Sequence, residues 1–298
     1  MTARILITGA SGLIGTDLRP ALEGLGHRVH GLDLVTGQDV REPLDLEAYD
    51  GVVHLAAMSR VAVAEANPEA CWSTNVGGTE NVLRAAEACL RRPWVLFASS
   101  REVYGQPAEL PVGEDEPLRP LNVYGRAKVR GEELVSASSL VTGIVRLSNV
   151  YGRVTDHADR VVPAFARAAA NGERVRVDGR QNGFDFTWID DAIAGLLAMV
   201  QILDGGERLP PIQLVTGRET SLGELAELAV GLGASAAVEA PPRPYDVGRF
   251  CGVDHRAREL LDWQASVSIE EGLSRLVQAF RSDAIHVDGT FATSTLRA

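Results

Sequence analysis

Arg4-Ile-Leu-Ile-Thr8, followed by Gly9-Ala-Ser11-Gly12-Leu13-Ile14-Gly15 and an amphipathic run to Leu25, is the stretch that decides the fold. Its first five residues have the apolar, β-branched character of a strand covered on both faces. Ile14–Leu25 has the periodicity of a helix. Between strand and helix the glycines have separate jobs. Gly9 allows the tight turn, Gly12 lets a phosphate approach the backbone, and Gly15 lets the helix pack close to the strand. Free N–H groups and the helix dipole then favour an anion at this point, so Ser11, Leu13 and Ile14 complete the expected cradle. The spacing is GxxGxxG rather than GxGxxG, and by itself it describes an incidental turn as well as a phosphate loop.

Asp33 narrows the choice. It ends the second strand candidate, Arg28–Leu32, eighteen residues after Gly15, where a carboxylate can accept from both ribose hydroxyls. Its charge would repel a 2′-phosphate, so NAD is expected rather than NADP; the alternative is a turn or helix-capping aspartate. Asp39-Val40 follows a short second connection and places Asp39 within reach of an adenine amine. Gly51–Leu55, Trp94–Ala98 and Gly143–Leu147 read as further strands, with Thr74–Arg91 and Tyr124–Ala137 as helices between them. Strands separated by helices of this length predict right-handed crossovers and a doubly wound parallel sheet, an α/β fold of the Rossmann type.

The rhythm changes after about residue 150. Val161–Gly172, Asp190–Leu203, Ser221–Leu232 and Ser268–Arg281 read as helices, broken by Pro-Pro at 210–211 and Pro-Pro-Arg-Pro at 241–244. The expected organisation is a cofactor domain over 1–152 with returning segments near 183–200, a smaller and mostly helical lobe over 153–281, and an extended tail over 282–298. Twenty-nine basic against forty acidic residues leave a net charge of −11. That balance argues against nucleic acid or an anionic membrane as partner. Cys71, Cys89 and Cys251 are too few and too scattered for a disulfide framework or a metal site. No run reaches the roughly 20 apolar residues of a membrane span, and a cytoplasmic protein is expected.

Tyr124-Gly-Arg-Ala-Lys128 places a phenol and an ammonium at i and i+4, on one helix face. A lysine one turn away, with a positive nicotinamide ring, would favour the phenolate and make Tyr124 a usable base. The stretch Ala98-Ser99-Ser100-Arg101-Glu102-Val-Tyr104-Gly105 closes a strand whose carboxyl end is where doubly wound sheets bind ligands. Together with the glycine turn, His54-Leu55-Ala56-Ala57, Asn75-Val-Gly-Gly-Thr79 and Arg146-Leu-Ser-Asn149-Val-Tyr-Gly152, these motifs resemble the NAD-dependent epimerase/dehydratase family of extended short-chain dehydrogenases/reductases. The resemblance spans roughly residues 3–281.

That resemblance implies roles. Ser100 would hydrogen-bond the reacting oxygen, Tyr124 would be base and acid, and Lys128 would hold the ribose and tune Tyr124. Asn75 would support the site, while residues 56–58 and 98–100, Leu55 and Ser99 among the neighbours, would line the nicotinamide. His54 is expected to be structural. On the substrate side, Asn149 and Arg243 match positions that hold a nucleotide-sugar diphosphate. One departure stands out: in Gly179-Arg180-Gln-Asn-Gly-Phe184-Asp-Phe186 the family's usual arginine is Phe184, so Arg180 or Arg176 would have to replace it. Arg101 stands where many dehydratases carry a partner for Glu102; it is either exposed or binds a carboxylate or phosphate. The implied activity is sugar-nucleotide epimerisation at C4 through a 4-keto intermediate. The alternatives are dehydration, net oxidation or reduction, and a non-catalytic NAD sensor. A homodimer through Gly77–Arg91 and Tyr124–Ala137 is implied by analogy.

Overall fold

The computed structural model describes the backbone of residues 2–242 and 247–291, and side chains through residue 283. Six parallel strands form the central sheet: β1 (Arg4–Thr8), β2 (Arg28–Leu32), β3 (Gly51–His54), β4 (Trp94–Ser100), β5 (Thr142–Leu147) and β9 (Ile212–Leu214). Their order is β2-β1-β3-β4-β5-β9. The chain runs outward from β1 to β2, then crosses back to β3 on the other side of β1, so the switch point lies between β1 and β3. In sheets of this kind ligands bind in the crevice at that point, beyond the carboxyl ends of the strands.

Burial on both faces explains why these strands read as continuous apolar runs. On β1, Ile5 and Ile7 belong to the core that includes Leu18 and Leu22 of α1 (Leu13–Gly24). Leu6 points the other way, into a core with Val52, Val82, Ala86, Val95 and Phe97. Helix α4 (Gly78–Ala88) contributes Val82 and Ala86 to that second layer. Helix α7 (Ile189–Asp204) returns to the first layer with Leu196, Met199 and Val200 fully buried. Each such aliphatic side chain contributes roughly 1.5–3 kcal/mol by leaving water.

The second half adds two small sheets to its helices. One has the order β10-β8-β6, from β6 (Asn149–Tyr151), β8 (Gly183–Trp188) and β10 (Glu219–Ser221). The other pairs β7 (Arg174–Asp178) with β11 (Ala236–Ala240). These strands are only three to six residues long, and although Arg174-Val-Arg-Val-Asp178 of β7 alternates exposed and buried positions, such short runs are not among the strands expected from the sequence. The expected helix over Thr74–Arg91 is shorter, because Ser73–Gly77 forms a wide π-type turn before α4. The final helix, α10 (Ile269–Phe291), runs ten residues into the stretch expected to be an extended tail; residues 292–298 lie outside the described residues. Among the described residues no helix is long and apolar enough to cross a membrane.

Candidate active site

The turn after β1 is built from backbone. Gly9 has φ of +72°, and a Cβ there would sit 2.7 Å from the Ala56 nitrogen at the end of β3. A Cβ on Gly15 would meet the Gly9 carbonyl oxygen at 2.6 Å, so α1 can approach the turn only without a side chain. Gly12 caps α1 and offers no side-chain acceptor to its first N–H groups. Those donors therefore remain available to an anion. Asp33 closes the turn: its two carboxylate oxygens accept from the Ser11 N–H at 2.8 Å and the Val35 N–H at 2.9 Å. Each oxygen can accept a second bond, from a ribose hydroxyl.

Asp39 has a partner within the chain. The Arg41 guanidinium grips both of its oxygens, at 2.9 and 3.0 Å from Nε, and holds its carboxyl below the usual carboxylate range. The carboxylate keeps a lone pair that would be open to an adenine amine. Val40 is buried, and its carbonyl accepts from Asn81 Nδ2 at 2.8 Å, fastening this connection to α4.

Behind the turn runs a buried polar relay. Thr8 Oγ1 lies 2.7 Å from His54 Nδ1, His54 Nε2 lies 3.0 Å from Thr79 Oγ1, and Thr79 donates to the Asn75 carbonyl at 2.6 Å. Because Thr79 gives its proton to Asn75, it accepts from His54, which assigns the proton to Nε2. Burial, reinforced by the Lys128 charge, pushes the imidazole down to about 3, so it is neutral. His54 is structural, as expected. Asn75 anchors the loop after β3: its Oδ1 accepts from Met58 N at 2.7 Å and its Nδ2 donates to Met58 O at 3.2 Å. Leu55, Ala56 and Ala57 thus border the glycine turn from the neighbouring strand, with Leu55 N bonded to Thr8 O at 3.0 Å.

At the end of β4 the two serines part company. Ser99 turns into the core and donates to Glu132. Glu132 in turn receives Arg146 Nε at 2.9 Å and Nη2 at 2.7 Å, and Arg146 donates to the Tyr104 hydroxyl at 2.8 Å. The Ser99 hydroxyl thus belongs to a buried ion-pair network, and its backbone is the part left to line a cofactor. Ser100 faces the opposite side, as strand alternation requires. Its hydroxyl accepts from the Glu102 N–H at 3.2 Å and acts to lower the pKa of the Tyr124 phenol.

Tyr124 and Lys128 sit on the buried face of α5 (Val123–Ala137), whose N-cap, Asn122, accepts from Gly125 N at 2.8 Å. Lys128 Nζ lies 5.8 Å from the Tyr124 ring centroid and donates to the Ala98 carbonyl at 2.6 Å. The tyrosine differs from the expectation. Burial pushes its pKa up to about 12, while Ser100 pulls the other way. Burial likewise brings Lys128 down to about 8. In this structure desolvation is the largest influence on the phenol.

Arg101 is half-buried rather than exposed. Its Nη2 pairs with Glu102 Oε1 at 2.9 Å, its Nε points to Asn149 Oδ1 at 3.4 Å, and its guanidinium lies 4.5 Å from the Phe184 ring centroid. Asn122 Nδ2 holds the other Glu102 oxygen at 2.7 Å. Ser100, Arg101, Glu102, Tyr124 and Asn149 are therefore brought into one cluster. Arg180 is not among them. It pairs with Glu227 and, at 3.4 Å, with Glu239, while Arg176 pairs with Asp178 at 2.7 Å. Neither reaches Phe184's cation-binding position; Arg101 does. Arg243 lies outside the described residues.

Four residues have roles that the sequence reading did not assign. Asn122 directly precedes the Tyr124 helix, and its type is a helix-capping signal. Glu132 gave no local signal, and Arg146, although it heads one of the motifs, was given no role, since the two meet only across α5 and β5. Arg160, at the start of α6 (Val161–Asn171), pulls on the Tyr124 phenol with its charge.

Residues 5–211 match the model of the NAD dependent epimerase/dehydratase family. The chain is 31% identical to a UDP-glucose 4-epimerase of Mycolicibacterium smegmatis, over 94% of this chain and 99% of that one. It is 30% identical to UDP-glucuronic acid decarboxylase 1 of Arabidopsis thaliana, over 96% of this chain and 71% of that one. Among solved structures it superposes on MoeE5 in complex with UDP-glucuronic acid and NAD with a TM-score of 0.84, at 28% identity, covering 94% and 99% of the two chains. Fold and site together define a Rossmann-type protein with a serine, a tyrosine and a lysine gathered beyond the glycine turn. The chain belongs to the NAD dependent epimerase/dehydratase family, and NAD is the cofactor of that family. The glycine turn fits it: the space that a Cβ on Gly9 or Gly15 would fill, and the uncapped start of α1, form a cradle for a pyrophosphate.

Proposed function

We propose that this chain is an NAD-dependent nucleotide-sugar epimerase acting at C4. The observation that carries the reading is the buried Tyr124 phenol beside the carboxyl end of β4, with Ser100 acting to lower its pKa and Lys128 one turn away. Gly9, Ser11, Gly12, Leu13, Ile14, Gly15 and Asp33 would hold the cofactor, with Leu55, Ala56 and Ala57 beside them. When bound, NAD supplies a hydride acceptor and donor at the sugar carbon. Tyr124 would take the proton from the C4 hydroxyl and later return it, while Ser100 orients that oxygen. Lys128, buried and brought down to about 8, would hold a ribose hydroxyl and bias Tyr124 toward the phenolate. Asn75 would keep the nicotinamide loop in place through Met58.

The pairing of Glu102 with Arg101 and Asn122 favours epimerisation over dehydration. Elimination needs an acid beside the departing hydroxyl, and position 101 offers a guanidinium that stays protonated. The relatives include both an epimerase and a decarboxylase, so the test must separate outcomes. The enzyme is loaded with NAD, given a panel of nucleotide sugars, and followed by NMR of the sugar ring and absorbance of NADH. Epimerisation inverts C4 with no net NADH. Accumulated NADH would mark an oxidation, and a 4-keto deoxysugar would mark dehydration. Binding of every sugar without turnover would leave the sensor reading.

The same reading assigns 1–152 with segments near 183–200 to the cofactor domain and 153–281 to the substrate lobe, with β9 also joining the central sheet. Three free cysteines, all buried, suit a reducing cytoplasm. A homodimer through α4 and α5 would use a charged face, with Glu80, Arg84, Glu87, Arg126, Arg130 and Glu133 exposed. Such a dimer would weaken with salt, which light scattering at two ionic strengths would reveal.

A further inference from the structure

The Arg101 side chain is 12% exposed, and its nitrogens are unequally served. Nη2 has Glu102 and Nε has Asn149, whereas Nη1 is buried with no hydrogen-bond partner among the described residues. The guanidinium plane is covered by Phe184, and Phe250 lies 6.0 Å away. A side chain serving only to pair with Glu102 has no reason to leave two N–H groups dry, since unmet buried donors are costly. Those donors are stable only if something else brings them an acceptor.

Position in the chain limits what that acceptor is. Arg101 follows directly on Ser100, and successive Cα atoms lie about 3.8 Å apart. Ser100 addresses the reacting oxygen, so Arg101 faces a substituent of the same sugar ring. Charge narrows it further. Aromatic faces shield the guanidinium from water, which strengthens its attraction for an anion. A bond between two charged groups is roughly twice as strong as a neutral one.

We propose that Arg101 is the specificity-determining residue of the substrate pocket, its free Nη1 binding a carboxylate carried by the sugar ring, so that the enzyme selects nucleotide-linked uronic acids over neutral hexoses. The arginine absent from position 184 is thereby replaced from another strand end, with Phe184 as its platform. This inference rests on the nucleotide-sugar reading above and names its substrate class.

Binding measured by calorimetry on the NAD-loaded protein, in the Tyr124→Phe background that prevents turnover, tests it. UDP-glucuronate and UDP-glucose are compared, with UDP, dTDP and GDP as references. The expected result is a preference for the uronate of roughly 10- to 100-fold. Arg101→Gln should abolish the preference, and Arg101→Lys should keep part of it through charge alone. NAD affinity and the melting temperature of each variant check that the fold survives. A wild-type pocket that favours glucose, or binds both sugars equally, overturns the proposal while leaving the nucleotide-sugar reading intact. So does a preference that survives Arg101→Gln. If neither the sugars nor any nucleoside diphosphate binds, the nucleotide-sugar reading itself fails.

Discussion

In the turn between β1 and α1, the binding groups are backbone N–H donors and the space left by absent side chains. Across the cleft, around Arg101, they are side chains drawn from four separate segments: the end of β4, the cap of α5, the start of β6 and the middle of β8. The first site is written in seven consecutive residues and one aspartate. The second exists only once the chain has folded. The contrast predicts that the cofactor half tolerates changes of side chain but not of backbone freedom, and that the substrate half behaves the opposite way.

The largest expected effect tests the substrate half. Tyr124→Phe removes one oxygen from the cluster and should lower kcat by about 10²- to 10⁴-fold, the usual worth of a general acid–base group. NAD binding, read by protein fluorescence, should stay within about twofold, because a factor of two is only ~0.4 kcal/mol. A variant that keeps its activity removes Tyr124 as the base. A variant that loses NAD instead would show that the two halves are not separable.

A second substitution probes what lies beneath both halves. Glu132→Gln leaves Arg146 buried without its charged partner and should cost about 3–5 kcal/mol of stability. Urea unfolding would show it. Ser99, Tyr104 and the backbone of Glu114 all converge on this pair, within hydrogen-bonding distance of Glu132 or Arg146. A loss below about 1 kcal/mol would place the pair among surface-like bridges and remove it as the scaffold of β4.

Gly9→Ala comes next and addresses the cofactor half. The positive φ alone costs about 1–2 kcal/mol for a residue with a Cβ, and the clash with Ala56 adds to it. NAD affinity should fall while binding of a nucleoside diphosphate alone holds. Replacing Leu13 or Ile14 by alanine should change NAD affinity far less, since those residues offer backbone. If alanine at Leu13 were as harmful as alanine at Gly9, the backbone account of the turn would be wrong.

The same contrast governs what could be read from the chain before folding. The glycine turn, Asp33, Ser100, Tyr124 and Lys128 were legible because each is signalled by its own neighbours: a strand before, a helix after, a fixed spacing on a helix face. The central sheet was legible for the same reason, through apolar runs buried on both sides. Arg101 was left open between an exposed residue and an anion site, because its surroundings come from residues 149, 184 and 250, each distant in sequence. The partner of the Ser99 hydroxyl was not legible, since Ser99 and Ser100 look alike until strand alternation and Glu132 are known. The pairing of Asp39 with Arg41, two residues on, was likewise not read from the chain.

Lys128 belongs to both halves, and its titration gives the smallest and most particular effect. Burial lowers its pKa from 10.5 to about 8. Between those values the unfolded chain holds a proton that the folded chain has released, so stability rises with pH across that window. Below about 8 the folded protein bears the full cost of burying the ammonium, and that cost is relieved as pH climbs toward 10.5. Tyr124 acts in the opposite sense at higher pH: raised from 10.0 to about 12, it keeps its proton when the unfolded chain has lost one, and stability falls. Urea titrations at pH 7, 8, 9 and 10 on wild type and Lys128→Met should therefore show the wild type gaining on the variant as pH rises. A difference that does not change with pH would mean that Lys128 is solvated through the cleft. Adding saturating NAD sharpens the test. If a ribose hydroxyl and the cofactor's negative phosphates stabilise the ammonium, the pH at which the wild type begins to gain should move upward, tying the backbone-built half to the side-chain-built one through a single proton.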